Sequence, residues 1–316
     1  MAKKIFTNKI TAVLAAILAM FVWGCAYSFI KLGMAEFSIS DGDLGSKMVF
    51  AGWRFFIAGL ITLLLAFVMK QSLRIESKAD FSIVLLFGLV NTGLHYLFSY
   101  IALSYCTGTK ASLIDSLGSF WLILFSTFFF KEKFTSRRAI GCLLGFSGII
   151  ITNLGGSVSG GFTFLGEGMM ILNTLCAAFG GVLTKFATRR VNPMAATGYS
   201  LSFGGFLLLA LGYLLNGRSL RMSIRGFWIM AALVAISAIG FILYNELLCY
   251  NPAGKIAIFN VLIPVFGTLM SCLLLKESFH LKYLIALIVI SLGILAVNSE
   301  PALSKELSKE TEEELS

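Results

Sequence analysis

Along this chain the polar residues come in short clusters and the apolar residues in long runs. Apolar windows bounded by charged or turn-forming residues fall near 10–30, 48–69, 81–104, 111–130, 139–154, 168–184, 194–216, 227–248, 256–275 and 283–298. Most approach or exceed the about 20 residues needed to cross a bilayer core. None has the alternating pattern of a membrane barrel strand. Backbone exposed to lipid must satisfy its own hydrogen bonds, so each window predicts a helix. The expected fold class is all-α, a polytopic membrane protein of ten transmembrane helices.

A shift of 145 residues lays the second half of the chain on the first. It carries Tyr105 onto Tyr250, Lys110 onto Lys255, KEKF (131–134) onto KESF (276–279), Gly148 onto Gly293 and Asn153 onto Asn298. This is an internal repeat. An odd number of spans separates the two charged phrases, so they are expected on opposite faces of the membrane, with the halves inverted. The predicted architecture is a five-plus-five inverted-topology repeat. Its halves cover 1–155 and 165–299, and the acidic, Ser-rich segment 300–316 reads as a solvated cytoplasmic tail. Inverted repeats recur in secondary transporters, where exchanging the conformations of two halves opens a shared site to one side and then the other.

Composition sharpens the class. Of 316 residues 58% are hydrophobic and 13% charged, against about 45–50% apolar and about 25% charged in a soluble domain. The formal charge of +9 would suggest nucleic acid in a soluble protein. Here the cations cluster between spans, as orientation signals do, and no nucleic-acid partner is expected. With the N-terminus inside, the inner connections up to residue 190 hold thirteen Lys and Arg, and the outer side holds Lys31, Lys47, Arg54 and Lys110. Beyond residue 190 the balance is three inside to five outside. Early helices usually dominate orientation, so both termini are expected in the cytoplasm and the protein in the cell membrane. Lys3, Lys4 and Lys9 before an apolar run ending in VWGC imitate a lipoprotein leader. The run from Ile10 to Ile30 is too long for a signal core, and Trp23 stands where a cleavage site wants a small side chain. The six cysteines lack ligand spacing and read as packing residues, so neither metal nor cofactor is expected.

Ionisable residues inside spans are costly and point to function. Asp115 in ASLIDSLGSF is the clearest, and the repeat places Asn260 opposite it. Helical steps from Asp115 reach Ser119 and Ser126, and the partner helix runs Asn260, Pro264 and Ser271 on the matching face. Pro264 lacks a backbone donor and can leave a carbonyl free for solute or ion. Asp115 lies only about 8 Å beyond Lys110 at 1.5 Å per residue, nearer a mouth than the midplane, so a solute or proton role and a structural contact both remain open for it. Asn91 and His95 share one face of the third span, with Tyr96 and Tyr100 beside them. His95 is a candidate proton relay or an interhelical hydrogen-bonding group. Trp23 and Tyr27 sit one turn apart in the first span and would suit an amphipathic or cationic metabolite or serve as packing. Glu246, beside Tyr244 and Asn245 near the end of the eighth span, would gate the cavity or pair with Lys255.

Four stretches resemble the drug/metabolite transporter superfamily, in particular its EamA-type members: WGCAYSFIK (23–31), ALSYCTGTKASLI (102–114), FKEKFTSRRAIGCLLGFSGIIITN (130–153) and LKESFHLKYLIALIVISLGILAVN (275–298). The likeness covers all but the tails. It implies a ten-helix bundle with a solute cavity lined mainly by spans one, three, four, six, eight and nine, and spans five and ten packed at the periphery. GCLLG (141–145) and Gly148 suit that packing, since small residues let helices approach closely. The first connection, 31–47, is longer than the family's usual one and reads as a loop, with a lid as the alternative. The counterpart of WGCAYSFIK is preserved only loosely, around Gly180, Gly181 and Lys185.

GFSG (145–148) imitates an intramembrane serine site, but the repeat pairs Ser147 with Leu292 while keeping the glycine, as packing requires. There is no HExxH, no paired catalytic aspartates and no phosphate-binding loop. The protein is read as no enzyme. The expected function is secondary transport of a small organic metabolite by alternating access, possible coupling to protons resting on Asp115 and His95. Export of an amino acid or related metabolite leads. Uptake of a small amine or other nutrient, a channel and a membrane scaffold are the alternatives, and a homodimer is left open. The partners are a small-molecule solute and the lipid bilayer.

Overall fold

The computed structural model describes residues 6, 8–129, 135–153, 162–251, 256, 258–278 and 281–298. Within them the chain folds into helices α1 (Lys9–Glu36), α2 (Leu44–Val68), α3 (Lys78–Tyr105), α4 (Gly108–Phe129), α5 (Ser136–Asn153), α6 (Phe164–Thr188), α7 (Pro193–Leu214), α8 (Ile224–Tyr250), α9 (Leu262–Leu275, after a 3-10 turn at Ile258–Val261) and α10 (Leu281–Asn298). No strand occurs among the described residues. Seven helices, α1 to α4 and α6 to α8, are long and apolar enough to cross a membrane, and α5, α9 and α10 carry shorter apolar stretches. The KEKF phrase, Lys255 and the 300–316 tail lie outside the described residues.

Local chemistry sets the helix ends. Asn8, Asp43, Ser77, Thr107, Thr163, Asn192 and Ser223 each accept first-turn backbone N–H groups at the starts of α1, α2, α3, α4, α6, α7 and α8. Three helices stop in paired backbone bonds of the Schellman type: Ile39 N–H to Met34 and Ser38 N–H to Ala35, then the same pattern after α2 and α7. The left-handed residues there are Ser38, Lys70 and Asn216.

The connection expected as a loop over 31–47 is shorter than that. α1 runs on to Glu36 and α2 begins at Leu44. Ile30 and Met34 continue the buried face begun by Tyr27, so the helical stripe outlasts the window of low polarity that marked the span. Three of the four cations assigned to the outer connections are also displaced: Lys47, Arg54 and Lys110 are at most 2% exposed.

The helices pack in reciprocal pairs. α2 lies along α7, α5 along α10, and α1 contacts α8 and α9 while α6 contacts α3 and α4. The α2–α7 contact is nearly backbone to backbone. A Cβ on Gly52 would stand 2.6 Å from the Leu209 nitrogen, and one on Gly212 2.7 Å from the Val49 nitrogen. In the α5–α10 pair, Gly293 faces the Gly141 carbonyl at 2.7 Å from its would-be Cβ, and Gly148 faces the Ile290 side chain. The small residues of GCLLG thus serve close approach.

Candidate functional site

Two helices are interrupted where they meet the centre of the bundle. α4 breaks at Ser116 and resumes at Leu117, and α9 changes from 3-10 to α geometry at Leu262. Those restart points are 145 residues apart, the shift of the sequence repeat. Asp115 and Asn260 sit at the two interruptions. α3 carries a π-helical turn at Leu89–Leu94 that includes Asn91, and such turns often mark functional sites.

Between these elements lies a cavity of about 160 Å³, small beside the about 300–1,000 Å³ of sites for drug-sized ligands. Its walls come from α1, α3, α4, α6, α8 and the start of α9, the six that the resemblance implied. Trp23, Tyr27, Asn91, His95, Tyr96, Asp115, Ser119 and Asn260 all line it. Glu246 and Pro264 do not. Pro264 is buried in the first turn of α9. Glu246 is 5% exposed, and its Oε2 has no hydrogen-bond partner among the described residues. The Ser126 side chain lies outside the described ones.

Polar bonds tie the two interruptions to their neighbours. Asn173 Nδ2 of α6 donates to Asp115 Oδ1 at 2.8 Å, and Tyr27 of α1 lines the cavity with Asp115. Asn260 Nδ2 donates to Ser119 Oγ at 3.1 Å, and Tyr244 lines the cavity with it. Asn245 beside it donates to Thr197 of α7 at 2.6 Å. Trp23 packs on Phe241 and Tyr244, with ring centroids 5.4 and 4.8 Å away, and its indole occupies the space over Gly240. The His95 ring stacks on Tyr96 at 4.3 Å. His95 Nδ1, Trp23 Nε1 and Asn260 Oδ1 are buried without a hydrogen-bond partner among the described residues. Buried polar atoms are rarely left so; His95 and Asn260 line the cavity, where a polar solute or water would satisfy them, whereas Trp23 Nε1 lies against Gly240. The lining combines aromatic walls with a few convergent polar groups, the composition of a small-molecule site. Among the described residues no cluster of His, Cys, Asp or Glu could hold a metal ion.

The EamA-like transporter family matches this chain over residues 10–154 and 164–299. The chain belongs to that family. It is an integral membrane transporter, not an enzyme. It is 26% identical over 299 residues to the uncharacterized transporter YvbV of Bacillus subtilis, covering 93% of each chain. It is 24% identical over 304 residues to the S-adenosylmethionine/S-adenosylhomocysteine transporter of Chlamydia muridarum, covering 89% of this chain and 90% of that one. It is also similar in fold to a protein of known crystal structure, with a TM-score of 0.68 at 17% identity over 92% of this chain and 98% of the other.

Two side chains that contact the lining of this EamA-type site are not singled out by the sequence. Asn173, which bonds Asp115, sits in an apolar stretch, MMILNTLCAAF, where nothing but its polarity marks it. Arg54 reads from the sequence as an outer cation, whereas its bonds to Ser237 and Tyr100 place it inside the bundle.

Proposed function

We propose that this protein is a secondary transporter that moves a small organic metabolite by alternating access. The fold we infer is ten spans in two inverted halves, 1–155 and 165–299. The observation that carries this reading is the pair of interrupted helices, α4 and α9, restarting 145 residues apart around one cavity. Discontinuous helices near the midplane form solute and ion sites in transporters built from inverted repeats. Reciprocal packing supports it too, since a shift of five helices turns the α1–α8 contact into α6–α3 and the α1–α9 contact into α6–α4.

In this reading Asp115, held by Asn173, is the polar centre of the solute site, with Trp23, Tyr27, His95, Tyr96, Ser119 and Asn260 as its walls. Glu246 and Pro264 act outside the lining, Pro264 by shaping the start of α9. Both termini face the cytoplasm and the membrane is that of the cell. The burial of Lys47, Arg54 and Lys110 removes three of the four outer cations of the first half that count against this orientation. The relatives named for S-adenosylmethionine, an amino-acid derivative, favour an amino-acid-type solute, and export is the direction we assign. Protons are the proposed coupling ion, through Asp115 and His95.

Proteoliposomes test this. Labelled amino acids should enter with saturation and with acceleration by unlabelled solute inside, and an imposed pH gradient should drive accumulation. Asp115→Asn should lower the rate at least about tenfold and abolish the response to the gradient. Flux rising linearly with concentration would point to a channel instead. A lack of flux for every solute would leave only a scaffold.

A further inference from the structure

A guanidinium buried in a membrane protein requires compensation, because removing its hydration is repaid only by close opposite charge and hydrogen bonds. Arg54 is the eleventh of the 25 residues of α2 and is 1% exposed. Its Nε donates to Ser237 Oγ at 2.8 Å and its Nη1 to the Tyr100 hydroxyl at 3.3 Å. The guanidinium carbon lies 4.6 Å from the Phe55 ring centroid and 5.6 Å from that of Tyr96. No carboxylate pairs with it among the described residues, whereas Lys110 has Glu167, Arg190 has Asp80 and Arg225 has Glu36. Of the five N–H groups of an arginine, two have an acceptor among the described residues.

The position of this charge is as telling as its lack of a counterion. Tyr96 and Phe241 line the cavity. Tyr100 lies one helical turn beyond Tyr96, and Ser237 one turn before Phe241. Arg54 bonds to Tyr100 and Ser237, so the two steps lead from the cavity lining to the same place, and the Tyr96 ring that lines the cavity is 5.6 Å from the guanidinium. Asp115 supplies a carboxyl to the lining. The site therefore has an acidic group in the cavity wall and a cationic fork in contact with another residue of that wall.

We infer that Arg54 is the anion-receiving group of the transport site and that the solute is a zwitterion of the α-amino acid class. Its carboxylate pairs with the Arg54 fork once Tyr96 moves aside, and its ammonium faces Asp115. A planar guanidinium grips a carboxylate through two parallel N–H groups, and the unused donors of Arg54 provide for that. A purely structural role accounts poorly for the residue, since an apolar side chain of similar volume packs in such a place without the desolvation cost. This inference rests on the transport reading above and names the solute class of the same site.

The test uses the full-length protein in proteoliposomes, with counterflow of a mixture of radiolabelled standard amino acids. Each is competed by its free acid, by its amide, which lacks only the negative charge, and by the decarboxylated amine. The wild type should prefer acid over amide by about ten- to 100-fold, the worth of a hydrogen-bonded charge. Arg54→Gln should reduce that preference to within about twofold while amides still compete. Arg54→Lys should keep part of it, because a point charge lacks the fork. Equal competition by acid and amide in the wild type overturns the inference. So does an unchanged preference in Arg54→Gln protein that elutes and melts as the wild type does. If Arg54→Gln does not fold, Arg54→Lys decides, and a preference equal to wild type overturns the assignment. Counterflow of nucleosides, sugars or amines without any of amino acids would overturn this solute class and leave the transport reading standing. Failure of every solute would overturn both.

Discussion

At the scale of single residues, the charges of this protein divide by whether they have partners. Lys110 of α4 and Glu167 of α6 form a buried ion pair, each at most 3% exposed, and Glu167 is further held by the Thr163 N–H at 2.7 Å. Removing one member strands the other in low dielectric, so Lys110→Met should cost about 3–5 kcal/mol. Lys110→Met with Glu167→Gln should recover much of that, read from melting of the detergent-solubilised protein. Glu277 of the KESF phrase has a comparable task at a helix end. Its carboxylate accepts the Gly108 and Thr109 N–H groups at 2.7 and 3.0 Å, where the helix dipole favours negative charge. Asp43, just before α2, is a simpler cap. The Ser46 N–H donates to it at 2.9 Å and holds its carboxyl below the usual range. A depressed carboxylate contributes stability above its unfolded pKa that is lost as pH falls through the folded value. Acidification below about pH 4 should therefore lower the melting temperature, and Asp43→Asn should flatten that limb of the profile.

At the scale of helices, glycine spacing decides which pairs touch. Gly45, Gly52 and Gly59 on α2 recur every seven residues and meet Gly198, Gly205 and Gly212 on α7, also seven apart. A side chain at Gly205 would collide with the Phe56 backbone. Gly205→Ala should therefore reduce the yield of folded protein and its melting temperature, by about 1–3 kcal/mol as overpacking does. Gly42→Ala is the control, since nothing lies within 4 Å of a Cβ there. Each apolar window coincides with a helix in the same order, although three of those helices carry only shorter apolar stretches. The windows did less well at the ends, because hydropathy reports the polarity of a stretch while caps and backbone bonds set where the helix stops. That is why α1 continues through Lys31 and Glu36, whose carboxylate accepts the Ser223 hydroxyl at 2.6 Å and pairs with Arg225 at 3.5 Å. Windows also could not reveal the break at Ser116 or the π turn at Asn91, which leave hydrophobicity unchanged.

At the scale of the whole molecule, the proposed inverted arrangement makes a prediction about sides. A cysteine placed within 276–278 should react with an impermeant reagent from outside the cell, and one placed within 135–138 only after the membrane is opened; labelling of both from one side would sink the inverted reading. The amino-acid sequence by itself determined the membrane class, the helical content and the family, because each is written in composition, in runs of apolar residues or in short phrases repeated 145 residues apart. It also singled out Asp115 and Asn260, since polarity inside a span is visible without coordinates. Only the tertiary structure decided which polar residues share a cavity, that Asn173 holds Asp115, and that Arg54 is buried against the cavity-lining Tyr96 with no acid paired to it among the described residues. The reason is rotational: the face a membrane helix turns inward is set by the helices packed against it, and a one-dimensional pattern of apolar residues that suits lipid and protein alike does not encode that rotation.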